Sequence, residues 1–249
     1  MEITEGGLYN QGHEAPSYEY GSNAHPSLSE MIQVQDLPAK LIPEAGKNHH
    51  TNRLVIVGDV HGMKHELIKL LEKIEFNNKH DHLILAGDMV SKGPDSAGVV
   101  DMAMKMGATG LRGNHEDHAI LAHADMAEHA ETDMPGPHED PGKTEDPLEE
   151  LSFSHGDYKD RALIKELGKK RIEWLKSCPV ILRVGHIGDM GQVVVVHAGL
   201  APGVELQRQD PSMVMNMRTI GDDNVPSEEH EGHPWTKVSL PPPTTHRKS

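Results

Sequence analysis

Three short stretches constrain this chain more than anything else in it: Gly58-Asp59-Val60-His61-Gly62, Gly87-Asp88-Met89-Val90 and Arg112-Gly113-Asn114-His115-Glu116. Each follows an apolar, strand-like run. Leu54-Val55-Ile56-Val57 is β-branched and continuously apolar, the pattern of a fully buried strand. Leu83-Ile84-Leu85-Ala86 ends the same way at Gly87-Asp88, and Thr109-Gly110-Leu111 leads to the third stretch. A single Asp or His past a strand is ordinarily a turn or capping residue. Three such loops in order are hard to assign to turns alone. In an open α/β sheet the carboxyl ends of parallel strands share one crevice, so ligands on all three loops would meet there. Asp, His and Asn together suit a divalent transition metal.

Gly-Asp-Val-His-Gly, Gly-Asp-Met-Val-x-x-Gly and Gly-Asn-His-Glu, followed by His197-Ala198-Gly199-Leu200, resemble the calcineurin-like metallophosphoesterases. Within that superfamily they resemble the phosphoprotein-phosphatase branch. The motifs run from about Arg53 to Arg218. The run Ser91-Lys92-Gly93-Pro94-Asp95-Ser96 is similar to fungal endopolyphosphatases and diadenosine tetraphosphatases rather than to protein phosphatases. The implied fold is α/β, a two-sheet β-sandwich flanked by helices, with metals where its halves meet.

Periodicity fills in the rest. Leu67, Leu70, Leu71 and Ile74 are spaced for one face of a helix over Lys64–Glu75. Pro94 suits the first position of a helix ending at Gly107. A further helix is expected over Asp160–Cys178, with Cys178 packing rather than reacting. Strands are expected over Val180–Val184 and Gln192–Val196, with His186 in the turn between them. Alternation of strand and helix implies a parallel sheet in the first half.

The domain is expected over 51–220. Residues 1–50 are expected to be mostly disordered, though Leu37–Pro43 could lie extended against the domain. Residues 221–249 form a polar, Pro-rich tail. Within the domain, 122–160 reads as an acidic insertion of twelve acids against two basic residues. It is a solvated loop or a charged cap, and its four histidines are read as surface residues.

The net charge of −15 argues against a nucleic-acid or anionic-membrane binder. The single cysteine excludes an intramolecular disulfide. No apolar stretch is long enough to span a membrane. With no secretory leader visible, the cytoplasm is the expected location, with nucleus or vacuole as alternatives.

The resemblance implies two divalent ions, of manganese, zinc, iron or magnesium. Asp59 and His61 would hold the first, Asp88 would bridge, and Asn114 and His197 would hold the second. A metal-bridging hydroxide would attack phosphorus directly, with His115 protonating the leaving group. Lys92, Arg218 and Asn114 would bind phosphate, and Glu116 would orient its own loop. Ser91 stands where protein phosphatases carry an aspartate beside the catalytic His, and Asp95 is the nearest substitute in sequence. Relatives carry a later Gly-His strand, which the Pro-rich end does not resemble. The last strands are therefore expected to be missing and the second metal site weak, unless His246 folds back. Two functions follow: hydrolysis of polyphosphate, dinucleoside polyphosphate or phosphoprotein, or a weakly active member serving as a binding or regulatory protein.

Overall fold

The computed structural model describes residues 19–20, 23–24, 31–43, 53–132, 158–221, 225–230 and 232–237. A small hairpin, β1 (Glu19–Tyr20) with β2 (Asn23–Ala24), comes first in the chain. The next strand, β3 (Val34–Asp36), belongs to the second of the two main sheets.

The first main sheet orders β4 (Leu54–Val57), β5 (His82–Leu85) and β6 (Thr109–Gly110) side by side, all parallel. Parallel neighbours need a crossover, and helices α1 (Lys64–Lys73) and α2 (Ser96–Met106) supply it. Successive strand side chains face opposite sides. On β5, Leu83 and Leu85 turn toward the helices, among Leu67, Leu71, Val99 and Val100. Ile84 turns the other way, onto Leu182, Val184 and Val195 of the second sheet. A strand covered on both faces therefore reads as one apolar run. β4 departs from that expectation. It is the outer strand, and Ile56, opposite Ile84 in register, is 48% exposed. The second sheet covers Ile84 and leaves Ile56 uncovered by any described residue.

Pro94 does not occupy the first helical position of α2. Asp95 is the cap, its carboxylate accepting the Gly98 N–H at 2.7 Å. That bond satisfies an amide the helix cannot and places Pro94 outside the helix. Gly107 ends α2 with φ 66°, a left-handed C-cap that favours glycine.

In the second sheet β7 (Ile181–Ile187) lies between β3, parallel to it, and β8 (Gly191–Val196), antiparallel to it. β7 runs further than its apolar residues suggest. It continues past a register shift between Arg183 and Gly185, so His186 is a strand residue, and Gly188–Met190 make the turn. Pairing of β3 with β7 brings residues 31–43 onto the domain, ahead of the boundary expected near residue 51. Leu37 is buried there, and the Gln33 side-chain amide donates to the Gln209 carbonyl at 2.7 Å.

Beyond Gly113 the third motif is helical. α3 (Asn114–Thr132) starts on its ligand residues and takes in the first part of the expected acidic insertion. Residues 133–157 lie outside the described residues. α4 (Tyr158–Lys176) packs against α3 and is interrupted at Gly168 (φ 63°, ψ 166°). Its Leu167, Ile172 and Leu175 are fully buried, and so is Cys178, whose thiol is pushed up by burial. After α5 (Pro211–Asn216) the chain forms a small antiparallel sheet. There β9 (Thr219–Ile220) lies between β10 (Pro226–Ser227) and β11 (His233–Pro234). His246 lies outside the described residues. Among those described, no helix is long and apolar enough to cross a membrane.

Candidate metal centre

Because β4, β5 and β6 run parallel, their carboxyl ends deliver Asp59, Asp88 and Asn114 to one end of the sheet. β8 delivers His197 from the other sheet. Its Nδ1 lies 3.0 Å from the Ala86 carbonyl at the end of β5. The four motif loops therefore converge, and Asp88 is the point they converge on.

The side chain of Asp88 is 6% exposed. Its Oδ1 is 3.3 Å from His197 Nε2, and its Oδ2 is 3.6 Å from His61 Nε2 and 3.9 Å from His115 Nε2. Asp59 Oδ2 is 3.7 Å from His61 Nε2, with its side chain 59% exposed, so the centre opens to solvent on that side. Asn114 Oδ1 lies 3.1 Å from His197 Nε2. The rings of His61 and His115 meet edge to face, with centroids 4.8 Å apart. In two groupings, His61–Asp88–His115 and Asp59–Asp88–His197, the candidate ligand atoms all lie within 4.8 Å of one another.

The donor set fits a divalent metal on one further observation. His61 Nδ1 faces the Val90 carbonyl at 3.2 Å and His197 Nδ1 faces that of Ala86. A carbonyl only accepts, so each Nδ1 carries the proton and donates it. The Nε2 atoms face the carboxylates and are the ones a metal would take, at His197 by displacing the proton that Asp88 and Asn114 hold there. Outer hydrogen bonds of this kind fix the tautomer and ring orientation of metal-binding histidines.

The loops are held in conformations that side chains seldom adopt. His61 (φ 45°), Asp88 (φ 52°), Ser91 (φ 71°) and Lys92 (φ 63°) all sit in the left-handed region. Such residues cost about 1–3 kcal/mol each and persist where the surroundings over-determine them. For Asp88 the determinant is Glu116, which is fully buried in the first turn of α3. Its Oε2 accepts the N–H groups of Asp88 at 2.7 Å and Gly113 at 2.9 Å. Its Oε1 accepts those of Met89 at 2.7 Å and Val90 at 3.1 Å. Glu116 was expected to orient its own loop, but it also reaches the loop after β5. Gly113 is forced by this packing, since a Cβ there would meet Asp88 Oδ1 and the Glu116 carboxylate.

Electrostatics follow from this crowding. Burial alone would push His197 down, but the hydrogen bond and charge of Asp88 carry it up to about 9. Burial would raise Asp88, and the bond and charge of His197, with the charge of His115, hold it below the usual range. Burial pushes Glu116 up to about 7, with Asp88 adding and the amides of Gly113, Val90 and Asp88 opposing. Burial pushes His115 down to about 4, opposed by Asp88 and aided by Lys92, His61 and His118. Lys92 is thus within electrostatic reach of His115.

Other expected residues fall elsewhere. Asp95 is used up by the α2 cap and by Lys64 Nζ at 3.1 Å. It is not the partner of His115. Arg218 is exposed, with Nη1 3.4 Å from His230 Nε2 beside the β9–β11 sheet.

A parallel sheet and a mixed sheet joined at a cluster of carboxylates and imidazoles define a metallophosphoesterase fold. The chain belongs to the calcineurin-like phosphoesterase family, whose match covers residues 52–244. Over 173 residues it is 28% identical to a symmetrical bis(5'-nucleosyl)-tetraphosphatase of Erwinia tasmaniensis, covering 69% of this chain and 53% of that protein. A protein of the same name from a Shewanella species is 29% identical over 163 residues, covering 64% and 49%. The chain thus spans about half the length of these curated relatives. A crystal structure of a candidate diadenosine tetraphosphatase superposes with TM-score 0.56 at 28% identity, covering 82% of this chain and 73% of that one.

Proposed function

We propose that this chain is a metal-dependent phosphoesterase acting on phosphoanhydride bonds, with a dinucleoside polyphosphate as its preferred substrate. The observation that carries the reaction class is the convergence of Asp59, His61, Asn114 and His197 on Asp88, with carbonyl-bound Nδ1 atoms turning Nε2 of His61 and His197 toward the carboxylate. The substrate choice rests on the names of the relatives and on Lys92, which offers a point charge rather than the bidentate fork of an arginine.

Asp59, His61 and Asp88 would hold one metal, and Asp88, Asn114 and His197 a second. Divalent ions bound there would supply Lewis acidity toward a phosphoryl oxygen and lower the pKa of a water. The chain's own part is positional. Asp88 holds both halves of the centre together, and Lys92 attracts the anionic phosphate. Burial keeps His115 neutral near pH 7. A phosphate dianion brought beside it raises its affinity for a proton, which it then gives to the leaving oxygen.

The test is Asp88→Asn, a nearly isosteric change. After chelator dialysis and manganese add-back, wild-type protein should hydrolyse p-nitrophenyl phosphate, and the variant should lose most of that activity while keeping its circular dichroism. Undiminished turnover by the variant overturns the reading. In a panel of diadenosine tetraphosphate, inorganic polyphosphate and a phosphopeptide, the dinucleotide should give the highest kcat/KM. If polyphosphate or the phosphopeptide leads, the substrate choice is wrong. Metal binding without turnover on any of the three would instead favour the binding-protein alternative.

A further inference from the structure

The geometry points to Glu116 as a positioning residue that couples the two loops carrying the bridging and second-metal ligands, so that the metal cradle is set before any metal arrives. The inference rests on the proposed metal reading and extends it to a residue that touches no ligand position.

The loop after β5 and the turn after β6 are far apart in sequence, and each must hold its ligand at a fixed distance from the other. Glu116 spans them with one carboxylate. One oxygen takes an amide from each side, Asp88 and Gly113, and the other takes Met89 and Val90. The amides of residues 88–90 all point at Glu116 because Asp88 is in the left-handed region, where successive N–H groups curl toward one acceptor. Remove the acceptor and that curl has nothing to hold it. Asp88 would relax toward ordinary backbone angles and its carboxylate would swing away from His61 and His197. A second link runs in parallel, as the His115 N–H donates to Asp88 Oδ1 at 3.2 Å. It depends on Asp88 already being in place.

Shape explains why this residue must be glutamate. The glutamine amide keeps one acceptor and turns an NH₂ against two of the donor N–H groups, so two of the four bonds are lost. Aspartate keeps the charge but is one methylene too short to reach both loops. Outer residues that orient metal ligands commonly change metal affinity 10–100-fold when replaced.

The experiment uses full-length protein and manganese alone as probe. Manganese Kd is measured by calorimetry, and the thermal midpoint is recorded with and without manganese. A merely structural role for Glu116 would lower the metal-free midpoint and leave Kd unchanged. Positioning predicts that Kd rises roughly 10–100-fold in Glu116→Gln and that the manganese-induced rise in midpoint shrinks with it. Glu116→Asp should fall between this variant and wild type. Wild-type Kd in either folded variant overturns the inference. Asp88→Asn is the control. If it too binds manganese like wild type, the metal reading itself fails, whereas if it alone loses binding, only the positioning role fails. Should neither Glu116 variant fold, amide exchange in metal-free wild type decides. The N–H groups of Asp88, Met89, Val90 and Gly113 should all be protected, and rapid exchange at any of them refutes the coupling.

Discussion

At the scale of single residues, His115 carries the strongest tension in the site. Burial holds it well below the ordinary imidazole range, to about 4, yet its proposed task is to donate a proton. Both statements hold if substrate charge supplies the missing proton affinity, since Lys92 already interacts with the ring and a phosphate would neutralise it. His115→Asn should then reduce turnover by about 10²–10⁴-fold, the usual contribution of a positioned acid or base. The loss should be smaller for p-nitrophenyl phosphate than for an alkyl phosphate, whose leaving oxygen needs the proton more. Steady-state rates on the two esters check this, and an equal loss on both would remove His115 as donor. The motif residues were legible because carboxylate and imidazole at strand ends have few other uses. The role of Asp95 was not, because an Asp before a helix serves equally well as a cap, and here the cap took it.

Among elements, the crossovers of the first sheet are secured by side chains that no periodicity reveals. Arg53 donates to Asp81 Oδ1 at 3.0 Å and Oδ2 at 2.6 Å, and also to the carbonyls of Ile74 and Glu75. It thereby ties the start of β4 to the α1–β5 link. The Arg53 hydrogen bonds are the largest influence on Asp81, whose carboxyl lies near 2 instead of 3.8. The sign follows. A carboxyl whose folded value is depressed adds stability above its unfolded value, and that stability is lost as pH falls toward the folded one. Arg53→Met should therefore be less stable than wild type at pH 5, with the gap closing between about pH 4 and pH 2. Urea midpoints for both proteins across that range check it. A gap independent of pH would mean the pair contributes packing alone.

In sequence α3 shows no helical stripe and reads as a loop followed by an insertion. Its buried face is Glu116, Asp117, Ala119 and Ile120, so half of what it turns inward is charged. A helix built to satisfy backbone amides around a metal centre does not show an apolar stripe. β3 was missed for a simpler reason. Three residues, Val34-Gln35-Asp36, give no period to count. By contrast β5 and the ends of α2 were legible, since two-sided burial and a left-handed Gly107 leave plain marks in sequence.

For the molecule as a whole, the two sheets are held by one apolar seam of Leu37, Ile84, Leu111, Leu182, Val184 and Val195. Leu37 comes from the segment before β4, so the domain's integrity draws on the Leu37–Pro43 stretch that the sequence reading allows to lie extended against it. Leu37→Ala should cost about 2–5 kcal/mol, the range for truncating a buried leucine. Urea denaturation measures it, and a loss within about 0.5 kcal/mol would show that the seam closes without this strand.

His197 and the Ala86 carbonyl are 111 positions apart, and His197 and Asn114 are 83 apart. Contacts that distant require long loops to close before they give anything back. The β7–β8 hairpin and the β4–α1–β5 unit can each form from neighbouring residues, but the centre exists only once both sheets have docked. Of the proposed ligand sets, Asp59, His61 and Asp88 lie within the β4–α1–β5 unit, whereas the set of Asp88, Asn114 and His197 is complete only after docking. Manganese should therefore slow unfolding more than it speeds refolding, as expected for contacts made largely after the transition state. Stopped-flow traces with and without manganese would separate the two limbs.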